Sequence, residues 1–182
     1  MIPTLKIASE WDPLLAAAYH EAGHAVTAYK LGIPLQRAST RATGDEFGSV
    51  LCAHVASPVP CPVTDALPKV YKRCRCALAG VIAQARYHRD SVKSEHGERD
   101  RDFAFQLVRQ FATSTRETTA YMQLFNVQAE QLVVTNWALI KEMAESTNGW
   151  YIDLGARSLR ESLGFWEDSL MREEYRRATQ AR

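Results

Sequence analysis

The segment from Asp12 to Gly32 constrains the fold more than any other part of the sequence. Asp12 carries a side-chain oxygen suited to capping the free backbone N–H groups of a helix start, and Pro13 follows at the first helical position, where its missing N–H costs no hydrogen bond. An Ala-rich run comes next, and Gly32 supplies a stop. The expectation is one helix over this whole interval, with residues 20–24 in its middle. Gly23 costs such a helix stability, which implies that another element approaches closely there.

The rest of the chain reads as more helices and a small sheet. QRASTRA and SVLCAHV flank TGDEFG, whose Gly44 and Asp45 suit a turn, so a hairpin is expected. The Pro-rich stretch SPVPCPVTDALP is expected to be a surface loop. A second helix fits about 69–88, with Val70, Cys74, Ala77, Leu78, Val81, Ile82 and Ala85 at helical spacing and Gly80 permitting close packing. The charged run HRDSVKSEHGERDRD leads into a third helix with the apolar stripe Ala104, Leu107, Val108 and Phe111. Ser114 and Glu117 have capping-box spacing. A helix fits about 127–147, then a strand-like WYIDL and a short helix at about 155–163. The fold class is therefore mainly α: a helical domain with a small β-hairpin or sheet next to the first helix. One domain over residues 1–182 is expected, with a core at about 12–163 and a polar tail at 164–182.

Composition excludes several classes. The formal net charge of +1 gives no electrostatic case for nucleic acid or an anionic membrane. No apolar run approaches the length of a membrane span, and MIPTLKIASEWDP lacks the basic start and apolar stretch of a secretory signal, so a cytoplasmic location is expected. In that setting Cys52, Cys61, Cys74 and Cys76 read as reduced, and Cys74 and Cys76 as small hydrophobes. Cys74 and Cys76 are one residue apart, which is not a common zinc spacing.

The chemistry lies in His20-Glu21-Ala22-Gly23-His24, a His-Glu-x-x-His pattern. Residues four apart on a helix stand one turn apart on one face, so both imidazoles reach a single zinc ion. Zinc lowers the pKa of a water toward neutrality, and Glu21 stands beside the two histidines to accept its proton. A catalytic zinc takes three protein ligands and keeps one open position. The extended pattern with a downstream Gly and His fails, because Thr27 and Lys30 occupy those places.

Candidates for the third ligand are His54, His88, Glu95, His96, Glu98, Asp100 and Asp102. At about 100° per residue, Asp100 falls within a few tens of degrees of the stripe through Ala104, Leu107, Val108 and Phe111, and Asp102 falls nearly opposite. A carboxylate at the head of an inward-facing stripe is costly unless paired or metal-bound, which favours Asp100 and keeps Asp102 as its rival.

HEAGHAVTAYKLG, a hairpin ending FGSV, ALAGVIAQARY and an Asp opening a helix together resemble the peptidase domain of the FtsH-type zinc metallopeptidases. The resemblance covers roughly residues 12–163 and implies the same order of elements. In it, Leu78-Ala79-Gly80 takes the place of the small-residue helix motif and Asp100 that of the third zinc ligand. It departs from the family at Arg101, where Leu or Ile is usual. Phe103 after Asp102 fits an alternative alignment. The family also carries membrane helices and an ATPase module, and no Gly-x-x-x-x-Gly-Lys-Ser/Thr loop occurs here. The resemblance thus implies a free-standing peptidase acting on polypeptide, or a domain that assembles with its own copies or borrows a partner ATPase. The competing expectation is a non-catalytic zinc domain that binds a peptide or partner.

Overall fold

The computed structural model describes residues 11–33, 35–43, 46–52, 63–93, 97–145 and 151–153, and the side chains within 11–33, 67–93 and 97–145. The chain is mainly helical. Helix α1 spans Pro13–Leu31, opened by the Asp12 carboxylate, which accepts from the Leu14 and Leu15 N–H groups. It closes at Gly32, whose φ of 66° is the left-handed conformation that glycine adopts without a Cβ clash. Every α1 residue from Glu21 to Ala28 is buried, so this is a central helix rather than an amphipathic one lying on the surface.

Strands β1 (Leu35–Thr43) and β2 (Glu46–Cys52) pair antiparallel, and β3 (Tyr151–Asp153) pairs antiparallel with the other edge of β1, giving the order β2-β1-β3. The ladder runs to Thr43↔Glu46, past an irregularity between Ser39 and Ala42. Glu46 and Phe47 therefore belong to β2, not to the expected turn, because the shift in register lets pairing continue to the strand ends. Helix α1 packs on both β1 and β2.

Helix α2 spans Val63–Tyr87. It begins well before the expected start and takes in Pro68, so the end of the Pro-rich stretch is helical rather than loop. Pro68 lies in the second turn, where the loss of one ladder bond is carried by the long helix beyond it. A short 3₁₀ turn, Arg89–Ser91, leads toward α3 (Glu98–Val108), which ends before Phe111, the last residue of its expected stripe.

Helix α4 (Thr115–Thr135) starts at Ser114, whose hydroxyl accepts from the Glu117 N–H at 3.1 Å. The Glu117 carboxylate turns to the Thr113 N–H and hydroxyl, both 2.7 Å away, and so braces the residue before the cap. The single helix expected over 127–147 is two. The Asn136 amide donates to the Leu132 carbonyl at 2.8 Å and ends α4, and the Asn136 carbonyl accepts from the Ile140 N–H and opens α5 (Trp137–Glu145). The expected short helix at 155–163 and the tail at 164–182 lie outside the described residues.

Two apolar clusters meet along α2. One joins Ala22, Ala25 and Val26 of α1 to Ala79 and Ala83 of α2 and to Ile140 and Met143 of α5. The other joins Cys74 and Leu78 of α2 to Ala104, Leu107 and Val108 of α3 and Phe125 of α4. Cys74 and Cys76 are buried and unbridged, and burial pushes the Cys74 thiol up to about 12, so both sit as small core residues. No helix among the described residues is long and apolar enough to cross a membrane.

Candidate metal centre

The centre is built where α1 crosses α2. At this crossing two glycines face each other. A Cβ on Gly23 would lie 2.7 Å from the Ala83 Cβ and 2.8 Å from the Ala79 carbonyl oxygen. A Cβ on Gly80 would lie 2.6 Å from His24 Cε1 and 2.8 Å from His20 Nε2. Real Cβ atoms do not approach so closely, so only glycine at both places lets the two imidazoles lie against α2.

His20 and His24 stand one turn apart on α1 with their rings edge to face. Each far-side nitrogen has an acceptor supplied by α2. The Gln84 side-chain oxygen lies 3.0 Å from His20 Nδ1, and the Cys76 carbonyl lies 2.8 Å from His24 Nδ1. The Gln84 amide nitrogen donates to the Ser91 carbonyl at 3.0 Å, which leaves its oxygen to accept from His20. Both histidines thereby donate from Nδ1, and Nε2 of each ring is turned inward.

The inward atoms converge. His20 Nε2 and His24 Nε2 are 3.1 Å apart, and Asp100 Oδ2 lies 3.1 Å from the first and 3.2 Å from the second. Asp100 reaches this point from the first turn of α3, one turn before the buried Ala104. Three electron-rich atoms at this spacing repel unless a cation or proton lies among them. Their separations are close to the ~3.3 Å edge of a tetrahedron with ~2.0 Å bonds, so two imidazoles and a carboxylate fit zinc in both donor chemistry and size.

The electrostatics agree. Burial pulls the His24 imidazole toward neutrality, but the hydrogen bond and charge of Asp100, the charge of Glu21 and the Cys76 carbonyl outweigh it and raise its pKa to about 9. Burial pushes the Asp100 carboxyl up, yet the hydrogen bonds and charges of His20 and His24 hold it well below the usual carboxylate range. The cluster stabilises positive charge at its centre.

Among the described residues the grouping is His20, His24 and Asp100. His88 and Glu98 are not part of it, and Asp102 is exposed on α3. His54, Glu95 and His96 lie outside the described side chains. Glu21 is buried one position beyond His20, and together they border a cavity of about 400 Å³. Gln84 is a functional candidate that sequence reading misses. Its signal is position: it stands one turn after Gly80, on the face of α2 that meets the histidines.

No family model matches the chain, and no curated protein matches it.

Two expected results follow from these contacts. Asp100→Asn should remove zinc binding at micromolar metal, whereas Asp102→Asn should keep one zinc per chain; metal analysis after gel filtration reads both. Gln84→Leu should weaken zinc binding by about 10–100-fold, the usual effect of losing the group that orients a ligand histidine, as measured by competition with a chelating dye.

Proposed function

We propose that the chain is a zinc-dependent peptidase in which His20, His24 and Asp100 hold the ion and Glu21 is the general base. The observation that carries this reading is the convergence of three acceptor atoms at 3.1–3.2 Å beside a buried carboxylate that borders an open cavity. A structural zinc site is usually closed by four protein ligands, whereas the three candidate ligands found among the described residues, with a cavity alongside, fit a site that keeps a position for substrate and water. The resemblance of HEAGHAVTAYKLG and ALAGVIAQARY to the FtsH-type peptidase domain supports the same assignment.

Zinc, when bound, would lower the pKa of a water and polarise the scissile carbonyl. Glu21 would accept a proton from the attacking water and deliver it to the departing amine nitrogen. Gln84 and the Cys76 carbonyl keep both imidazoles in one tautomer throughout. In this reading the small sheet beside α1 has a role: among the described residues β2 ends the order β2-β1-β3, and an extended substrate would add to it as a further strand. The substrate is polypeptide, flexible or already unfolded, and a separate ATPase or further copies of the chain would extend that range. Zinc stoichiometry together with cleavage of casein tests the proposal. One zinc per chain without hydrolysis would favour a zinc-containing binding domain.

A further inference from the structure

Helix α4 is buried along one side and largely apolar along the other. Thr118, Phe125, Ala129 and Val133 face the core. About 180° around the helix from them lie Ala120, Leu124, Val127, Gln131 and Val134, all exposed. Leu124 and Val134 are each 47% exposed, and Val127 is 61% exposed. Scattered apolar residues on a surface are ordinary. These five instead recur in alternating steps of four and three residues, the spacing with which one helix presents a continuous strip to another. The helix is also poor in charge. Glu130 is the one charged residue between Thr118 and Asn136, in a chain whose charged fraction is 24%.

We propose that this strip is an interface at which two copies of the chain pair, α4 against α4, about a two-fold axis. Three features choose a second copy as the occupant. Gln131 is the polar member of the strip, and its amide carries both donors and an acceptor. An axis passing beside Gln131 sets amide against amide, so each satisfies the other. The strip carries no charge, so it does not repel its own image as a charged face would. Its size also fits: the 21 residues of α4 make a helix about 30 Å long and about 10 Å across. Two such faces together bury on the order of 1,000 Å², the lower limit for specific association, so the dimer is weak, with a Kd of about 1–100 µM. A contact of this symmetry closes at two copies, whereas a head-to-tail contact builds a ring or filament. His20, Glu21, His24, Gln84 and Asp100 all lie on other helices, so the pairing stands apart from the peptidase reading.

Sedimentation velocity of the full chain over a range of concentrations tests the pairing. The wild type is expected to pass from monomer to dimer across the micromolar range. Leu124→Lys and Val127→Lys each bring a charge into the contact from both copies, and each should weaken dimerisation by about 100-fold or more. Both positions are exposed, so the variants should keep a folded chain, which a melting curve checks. Gln131→Leu should tighten the dimer by about ten-fold, since a polar residue in such a strip costs stability. Damage to the fold would not strengthen association. Phe103→Lys is the control: Phe103 is 46% exposed but lies on α3, so the dimer should persist. A wild type that stays monomeric throughout overturns the pairing and leaves the strip to a partner of another sequence. A dimer or larger assembly that Leu124→Lys and Val127→Lys leave intact also overturns it. So does an assembly that Phe103→Lys disrupts as strongly as the α4 variants, because association would then be a general stickiness of exposed apolar residues.

Discussion

Glu21→Gln is expected to lower kcat/KM for peptide hydrolysis by about 10²–10⁴-fold while one zinc per chain is retained. The substitution keeps the size and shape of a buried side chain, so the packing around it is preserved. It removes the ability to accept a proton near neutral pH. Glu21 is not among the three atoms that converge at the centre, which are His20 Nε2, His24 Nε2 and Asp100 Oδ2. Loss of turnover with retention of metal therefore separates the proton acceptor from the ligands. Full activity in the variant would contradict the mechanism, and loss of zinc would show that Glu21 is needed to hold the ion. Metal analysis and peptide kinetics on one preparation give both readings.

Gly80→Ala is expected to empty the centre of metal. The added Cβ would stand 2.6 Å from His24 Cε1 and 2.8 Å from His20 Nε2, so something must shift. His24 has little freedom to yield, because its Nδ1 bonds the Cys76 carbonyl of the same helix at 2.8 Å. Either the α1–α2 crossing opens or an imidazole leaves the cluster. Opening the crossing disturbs the Ala22, Ala79 and Ala83 packing, with a cost of about 1–3 kcal/mol for an overpacked core. Gly32→Ala is the control. Nothing lies within 4 Å of its added Cβ, but a φ of 66° strains any L side chain, at about 1–2 kcal/mol. Both variants should melt earlier than wild type, and only Gly80→Ala should lose zinc. Normal zinc binding by Gly80→Ala would place the metal elsewhere.

The parts of the site that depend on local sequence are legible in the order of residues alone. Asp12, Pro13 and Gly32 mark α1, and the four-residue step from His20 to His24 puts two imidazoles on one face. Asp100 is legible as the head of a stripe because α3 does bury Ala104, Leu107 and Val108. The interruption at Asn136 is not, because Val133, Trp137, Ile140 and Ala144 keep helical spacing across it; the break comes from the Asn136 side chain bonding back to Leu132. Gln84 escapes for a different reason. Its value depends on the Ser91 carbonyl beyond the end of α2, which orients the amide, and on an imidazole from α1.

The hydrolysis proposed above takes place at the His20–His24–Asp100 centre. Casein incubated with the zinc-loaded chain, with products read by mass spectrometry, tests it most directly. New peptides cut at internal bonds, abolished by a chelator and restored by zinc, are the predicted result. One zinc bound per chain with intact casein across a range of conditions would contradict it.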